Sequence, residues 1–257
     1  MHVAASNPKV QRLRRLTGRR SARYDENRFV VEGDVLIEEA LAANIEIDEI
    51  FVREDRQDDF PVLDSIDAPL YVLEKSVFNA ACDTVTPQGV IAVCVMPDVR
   101  ELSFAADTWV IVADEISDPG NLGTIMRSCE VAGASALVLL NRSVDPYSPK
   151  VVRASAGALF HLPVVSSSYE ELHAHGMRLL GTTSHTDPRH KPQSYTSVNY
   201  SGCIGIVLGN EAHGIAPDAP VDEWITIDHV GRSESLNVAM SASILAIHVS
   251  QSRGQKG

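Results

Sequence analysis

The residues best suited to chemistry in this chain fall in three polar stretches. The one nearest the C-terminus holds Asp228, His229, Arg232, Ser233, Glu234, Ser235 and Asn237, side chains with little to do in an apolar core. The β-branched run Ile225, Thr226, Ile227 precede it and Leu236, Met240, Ile244 and Ile247 follow at helical spacing, so it reads as strand, polar loop and capped helix. A second stretch, LGNEAHGI from Leu208 to Ile215, combines Gly209 and Gly214, where backbone can come close to a ligand, with the charge of Glu211. The third, DEISDPGNLGTIMR from Asp114 to Arg127, turns at Pro119-Gly120, offers Asn121 as a cap and carries Arg127 into the following helix. In open α/β sheets ligands bind where the carboxyl ends of strands meet helix N-termini, and all three stretches are expected at such ends. The G-x-G-x-x-G spacing is missing, which disfavours a nicotinamide dinucleotide. Taken singly, Asn121 and Ser235 are adequate helix caps, and an isolated Asn or Ser at a helix start is a cap far more often than a catalyst.

The elements that must position these loops alternate. Strands are expected at Trp109 to Ala113, Ala136 to Leu140, Leu162 to Val165, Leu179 to Thr183, Cys203 to Leu208 and Trp224 to Ile227. Helices are expected over Asn121 to Ala132, Lys150 to Ala158, Tyr169 to His175 and the final apolar stretch. Continuous apolar strands alternating with helices imply an α/β domain with a mostly parallel sheet. Ahead of it, strands at Phe29 to Val31, Glu49 to Val52, Leu70 to Leu73 and Gly89 to Val95, with a helix over Asp34 to Asn44 burying Val35, Leu36, Ala40 and Leu41, suggest a smaller αβ unit. The acidic, proline-containing Met96 to Asp107 separates the two, giving expected domains at 1–98 and 106–257.

Composition narrows the class. A chain of 257 residues with 44% hydrophobic and 22% charged residues is an ordinary globular protein of one or two domains. No stretch approaches the roughly 18 apolar residues of a membrane span, and MHVAASNPKV lacks the apolar core of a secretory signal. A cytoplasmic protein is expected. Cys82, Cys94, Cys129 and Cys203 are far apart and sit mainly among apolar neighbours, as small core residues rather than zinc ligands, and no metal is expected. The net charge of −12 argues against a generic nucleic-acid binder. Yet Lys9, Arg12, Arg14, Arg15, Arg19, Arg20 and Arg23 form a run without one acidic residue, an electrostatic footprint or, alternatively, a solvated basic helix face.

Together the three stretches resemble the signature motifs of the SpoU, or TrmH, family of S-adenosylmethionine-dependent RNA 2′-O-ribose methyltransferases. The matching residues are NLGTIMR at Asn121 to Arg127, LGNEAHG at Leu208 to Gly214 and SLNVA at Ser235 to Ala239. VDPYSPKVVRASAGALFHLPV from Val144 to Val164 agrees as well, and FVVEGDVLIEEAL resembles the family's L30-like substrate-binding domain. The likeness covers nearly the whole chain.

The resemblance implies a catalytic domain with a deep trefoil knot, a homodimer and S-adenosylmethionine in the knot, held by Leu208, Gly209, Gly214, Ile227 and Leu236. It assigns catalysis to Asn121, Arg127, Glu211, Ser235 and Asn237, with Arg127 central. Deprotonating an arginine near neutral pH would cost roughly 8 kcal/mol, so a fixed guanidinium stabilising the nascent alkoxide is the better role than general base. RNA contacts are expected from Lys9, Arg12, Arg15, Arg19, Arg20, Arg23 and Arg153, the last of which serves equally well as a helix cap. Ribosomal RNA is the expected substrate by analogy; a tRNA methyltransferase and an inactive RNA-binding member are the alternatives. One departure stands out: members commonly carry Ile-Pro-Met where this chain has Ile227-Asp228-His229.

Overall fold

The protein is described by a computed structural model that covers residues 1–97, 104–140, 142–184, 191–228, 230–231 and 235–254. His229, Arg232, Ser233 and Glu234 of the third stretch lie outside the described residues. In chain order the first elements are α1 (Pro8–Gly18), α2 (Arg20–Glu26), β1 (Arg28–Glu32), α3 (Asp34–Ala42), β2 (Ile47–Arg53), β3 (Leu70–Leu73), α4 (Lys75–Asn79) and β4 (Val90–Val95). There follow β5 (Trp109–Ala113), α5 (Pro119–Ala132), β6 (Ala136–Leu139), α6 (Pro149–Ser155), α7 (Ala158–His161), β7 (Val164–Ser166) and α8 (Tyr169–Ala174). The last are β8 (Arg178–Thr182), β9 (Gln193–Ser194), β10 (Ile204–Leu208), β11 (Glu223–Thr226) and α9 (Val238–Gly254). Among the described residues no helix is long and apolar enough to cross a membrane.

These elements form two units. The first comprises Met1–Asp98 together with Asp145–His161, so the α6–α7 segment belongs to it rather than to the expected second domain of 106–257. The physical reason is a set of contacts that no local pattern announces: Tyr147 and Phe160 pack on Phe29 of β1, with ring centroids 5.3 and 6.2 Å away. The sheet of this unit runs β1-β4-β2-β3, with β4 antiparallel to both neighbours and β2 parallel to β3. Helix α1 is capped by Asn7, whose side chain accepts from Lys9 N, and it buries Val10, Leu13 and Leu16 against Val30, Phe51 and Ile91. On α3 the buried residues are Ile37 and Ala40 while Val35 is exposed, which corrects the expected face. With apolar residues around most of DVLIEEALA, spacing alone did not select one side.

The second unit, Val99–Val144 with Leu162–Gly257, is a seven-stranded sheet in the order β7-β6-β5-β10-β8-β11-β9. Every adjacent pair is parallel. From β5 the chain first moves one way, to β6 and β7, and later fills the other side with β10, β8 and β11. That makes the β5/β10 border a topological switch point, where such sheets open a crevice for ligand. Register sharpens this: Leu208 pairs with Ala113, and Ile225 with Thr182, so the loops after four strands leave one edge of the sheet at about the same level.

The two helices behind this edge are placed by their caps and small residues. Asp118, not Asn121, is the N-cap of α5, accepting from Asn121 N at 2.8 Å. Helix α9 begins at Val238 and is capped by Asn237, whose Oδ1 accepts from Ala239 N and Met240 N at 2.9 and 3.2 Å; Ser235 lies ahead of the cap. The buried side of α9 is Ala239, Ala242, Leu245, Ala246 and Val249, whereas Met240, Ile244 and Ile247 are 56%, 36% and 40% exposed. Small residues let α9 lie close to α5, with Ser128 and Ser243 hydroxyls 2.7 Å apart, while Met240, Ile244 and Ile247 are left facing out. Cys94 and Cys129 are buried, Cys82 and Cys203 half-buried, all as free thiols.

Candidate active site

A cavity of about 500 Å3 opens at the carboxyl edge of the second unit's sheet, within the range of small-molecule sites. It is lined by all five residues expected to hold the cofactor, Leu208, Gly209, Gly214, Ile227 and Leu236. Ile215, Ile225 and Leu245 add apolar wall. Gly209 is needed for a reason other than admitting a ligand. A Cβ there would sit 2.3 Å from Ile215 N and 2.4 Å from the Gly214 carbonyl carbon, so the loop closes on its own first residue. Gly214 then supplies the left-handed turn, at φ +72°. Asn210 ties this loop to the one after β5, donating from Nδ2 to Glu115 O at 2.9 Å while its Oδ1 accepts from Ala212 N.

Three of the residues assigned to catalysis meet at the rim, although they stand 90 and 116 positions apart. Glu211 Oε1 accepts from Asn121 Nδ2 at 3.0 Å and from Asp118 N at 3.2 Å. Its Oε2 accepts from the Ser117 hydroxyl at 3.0 Å and Ser117 N at 3.3 Å. Asn237 Nδ2 in turn donates to Asn121 Oδ1 at 3.1 Å. The amide orientations follow from chemistry, since turning Asn121 over would set oxygen against carboxylate and NH2 against NH2. Burial pushes the Glu211 carboxyl up, but the bonds from Asn121 and from backbone amides outweigh it and hold its pKa below that of an ordinary glutamate. With both oxygens doubly engaged, Glu211 is an anchor for the loops rather than a free proton acceptor.

Ser235 and Arg127 are not part of this chain of bonds. Ser235 is exposed and lines the cavity. Arg127 is exposed on α5, less than two turns beyond Asn121 and so on another side of the helix, and makes no ion pair among the described residues. The residues that sequence reasoning did not single out are Ser117 and Asp118, which grip Glu211, and Thr182, Thr183 and Ser184, which line the cavity after β8. A signal for the latter existed: LLGTTS is also an apolar strand ending in polar residues.

In the first unit the basic run is largely neutralised. Lys9 pairs with Glu49, Arg12 with Glu26, Asp48 and Glu49, and Arg15 with Glu26. Arg153 reaches Glu32 and Asp83 at 3.5 and 3.4 Å. Arg23 is only 4% exposed and clasped by Asp145, which withdraws it from the expected RNA-facing set. Arg19 and Arg20 are exposed and pair with no acid among the described residues.

Comparison with known proteins agrees with this architecture. A model of the SpoU rRNA Methylase family matches residues 108–247, and one of an MRM3-like substrate binding domain matches 7–92. The chain is 33% identical over 254 residues to the Bacillus subtilis 23S rRNA (guanosine(2553)-2′-O)-methyltransferase RlmP, spanning 96% of this chain and 97% of that one. A solved RNA 2′-O ribose methyltransferase is 30% identical and superposes with a TM-score of 0.81, covering 98% and 99%. The Streptomyces viridochromogenes SpoU methyltransferase AviRb, solved with the cofactor AdoMet, shares the fold at a TM-score of 0.84, with 24% identity over 96% of this chain and 98% of that one.

Proposed function

The chain belongs to the SpoU rRNA Methylase family, and from that premise we infer that it is an S-adenosylmethionine-dependent rRNA 2′-O-methyltransferase acting in the cytoplasm. The observation that carries this reading is the meeting of Asn121, Glu211 and Asn237, one from each motif, at the rim of a cavity lined by all five cofactor residues.

The cavity suits the cofactor. Leu208, Ile225 and Leu236 offer dry contact for an adenine, and the 209–214 loop presents backbone groups. S-Adenosylmethionine bound there supplies a sulfonium methyl group as electrophile. The protein's own residues then have two tasks, to align the ribose hydroxyl and to stabilise the negative charge growing on it. Glu211 and Asn121 hold the loops after β5 and β10 together, Asn237 locks the start of α9 to them, and Ser235 faces the cavity as a ribose or phosphate contact. Arg127 supplies the guanidinium for the nascent alkoxide, and the proton leaves to phosphate or water. The trefoil knot implied by the family is part of the same proposal.

Methyl transfer from labelled S-adenosylmethionine to an unmodified 23S rRNA transcript tests the function, with nuclease digestion to locate the label. We expect a single 2′-O-methylated nucleotide. Label confined to tRNA would favour the tRNA alternative, and cofactor binding without transfer to any RNA would favour an inactive RNA-binding member.

We further propose a homodimer built on the outward face of α9. Met240, Ile244 and Ile247 form an exposed apolar stripe there, and Val131 of α5 is exposed as well. Ile244→Asp should shift the protein from dimer to monomer in sedimentation velocity. A wild-type protein that already sediments as a monomer at micromolar concentration would sink this proposal.

A further inference from the structure

The basic run that opens the chain reads as one electrostatic footprint in sequence, yet its cations have separate fates. Glu49, Glu26, Asp48 and Asp145 engage Lys9, Arg12, Arg15 and Arg23 within the first unit. What is left exposed, at the start of α2, is Arg19 and Arg20, and beside them stands an aromatic ring that needs explaining. Tyr24 is 45% exposed, in a protein where most aromatic side chains are covered. Its ring is nevertheless fixed in direction. The hydroxyl donates to Asp145 Oδ1 at 3.2 Å, and one side meets Tyr147 edge-on, with centroids 6.3 Å apart and planes at 76°. Tyr147 is itself buried against Phe29. The Arg20 guanidinium lies over the Tyr24 ring at 5.3 Å from its centroid.

A ring held at its polar end and one edge, partly open to solvent and covered by the Arg20 guanidinium, with Arg19 next in the chain and neither cation paired with an acid among the described residues, offers what an unpaired nucleotide needs. The ring and the guanidinium plane stack with a base, and the second arginine neutralises a phosphate. We propose that Tyr24 and Arg20 form a stacking platform for a single-stranded or bulged nucleotide of the RNA substrate, with Arg19 on the adjoining phosphate. The platform rests on the reading of the chain as an rRNA methyltransferase and adds to it a contact that selects unpaired RNA. It also explains why Asp145, already satisfied by Arg23, receives the Tyr24 hydroxyl: that bond aims the ring.

Binding and methyl transfer are to be measured separately, with wild type, Tyr24→Ala, Tyr24→Phe, Arg20→Ala and Arg19→Gln, on the unmodified 23S rRNA transcript at several salt concentrations. Tyr24→Ala and Arg20→Ala should each weaken RNA binding by roughly tenfold. The loss should appear in KM for RNA and leave KM for S-adenosylmethionine in place. Tyr24→Phe keeps the ring and should recover most of the affinity lost in Tyr24→Ala. Arg19→Gln should lower the slope of log affinity against log salt by about 1, a change that Tyr24→Ala does not produce. Arg20 is exposed and outside the core, so its variant reports on the platform even if Tyr24→Ala melts early. Wild-type affinity in both alanine variants overturns the platform, as does an equal loss in Tyr24→Phe and Tyr24→Ala, which would reduce Tyr24 to its hydroxyl bond. If the wild type binds the transcript but methylates no RNA, the enzymatic reading fails while the platform is judged on binding alone.

Discussion

Replacing Arg127 by alanine is expected to lower kcat by about a hundred- to a thousandfold, the scale on which removal of one preorganised charge donor acts. S-Adenosylmethionine affinity should stay close to wild type, because Arg127 does not line the cavity. The lysine variant discriminates between roles. A guanidinium forms a planar fork with two directed donors, while an ammonium is a point charge. If the fork stabilises the alkoxide, Arg127→Lys recovers only a small part of kcat. Near-full activity in Arg127→Lys with an unshifted pH profile would defeat a fork-specific role.

The second large effect concerns folding. Asp145 accepts from Arg23 Nε at 2.9 Å and from Arg23 Nη2, from Tyr147 N at 3.1 Å and from the Tyr24 hydroxyl, while Arg23 Nη1 donates to Leu16 O at 2.6 Å. Both partners are nearly inaccessible, at 4% and 6% exposure. Asp145→Ala strands a buried guanidinium, at a cost of about 3–5 kcal/mol. In thermal melts the first unit should unfold roughly 10 °C earlier. The double variant Arg23→Met/Asp145→Leu removes both charges and should regain much of the loss. A melt of Asp145→Ala within about 2 °C of wild type would show the pair to be dispensable.

Much of the candidate site was legible in the linear chain because its signals are local. Apolar strands ending in polar, glycine-bearing loops mark a parallel sheet and its ligand edge, and the residues at 121–127, 208–214 and 235–239 carry the resemblance to the family's three motifs. Harder to read was α9. Its residues are apolar or small on every side, so helical spacing picked out Met240, Ile244 and Ile247, whereas the face that is buried carries Ala239, Ala242 and Ala246, whose small side chains allow close approach to α5. Capping was similarly misplaced. Asn121 and Ser235 each stand near a helix start, and Asp118 and Asn237 won because their oxygens reach the free amides.

By itself, then, the sequence determined the alternation of strand and helix, the family motifs and the chemical types available at the sheet edge, all of which depend on neighbours within a few residues. Tertiary structure alone decided which charges remain available. Arg23 and Asp145 are 122 positions apart, and Arg12 finds Asp48 across 36, so four of the seven cations in the run became intramolecular ion pairs, and Arg14, Arg19 and Arg20 pair with no acid among the described residues. Charge pairing is set by distance in space, and a buried cation must have its counter-charge wherever the chain brings one. The same holds for Glu211, whose four donors come from Ser117, Asp118 and Asn121 some 90 residues earlier and make a residue assigned to catalysis the anchor of the site.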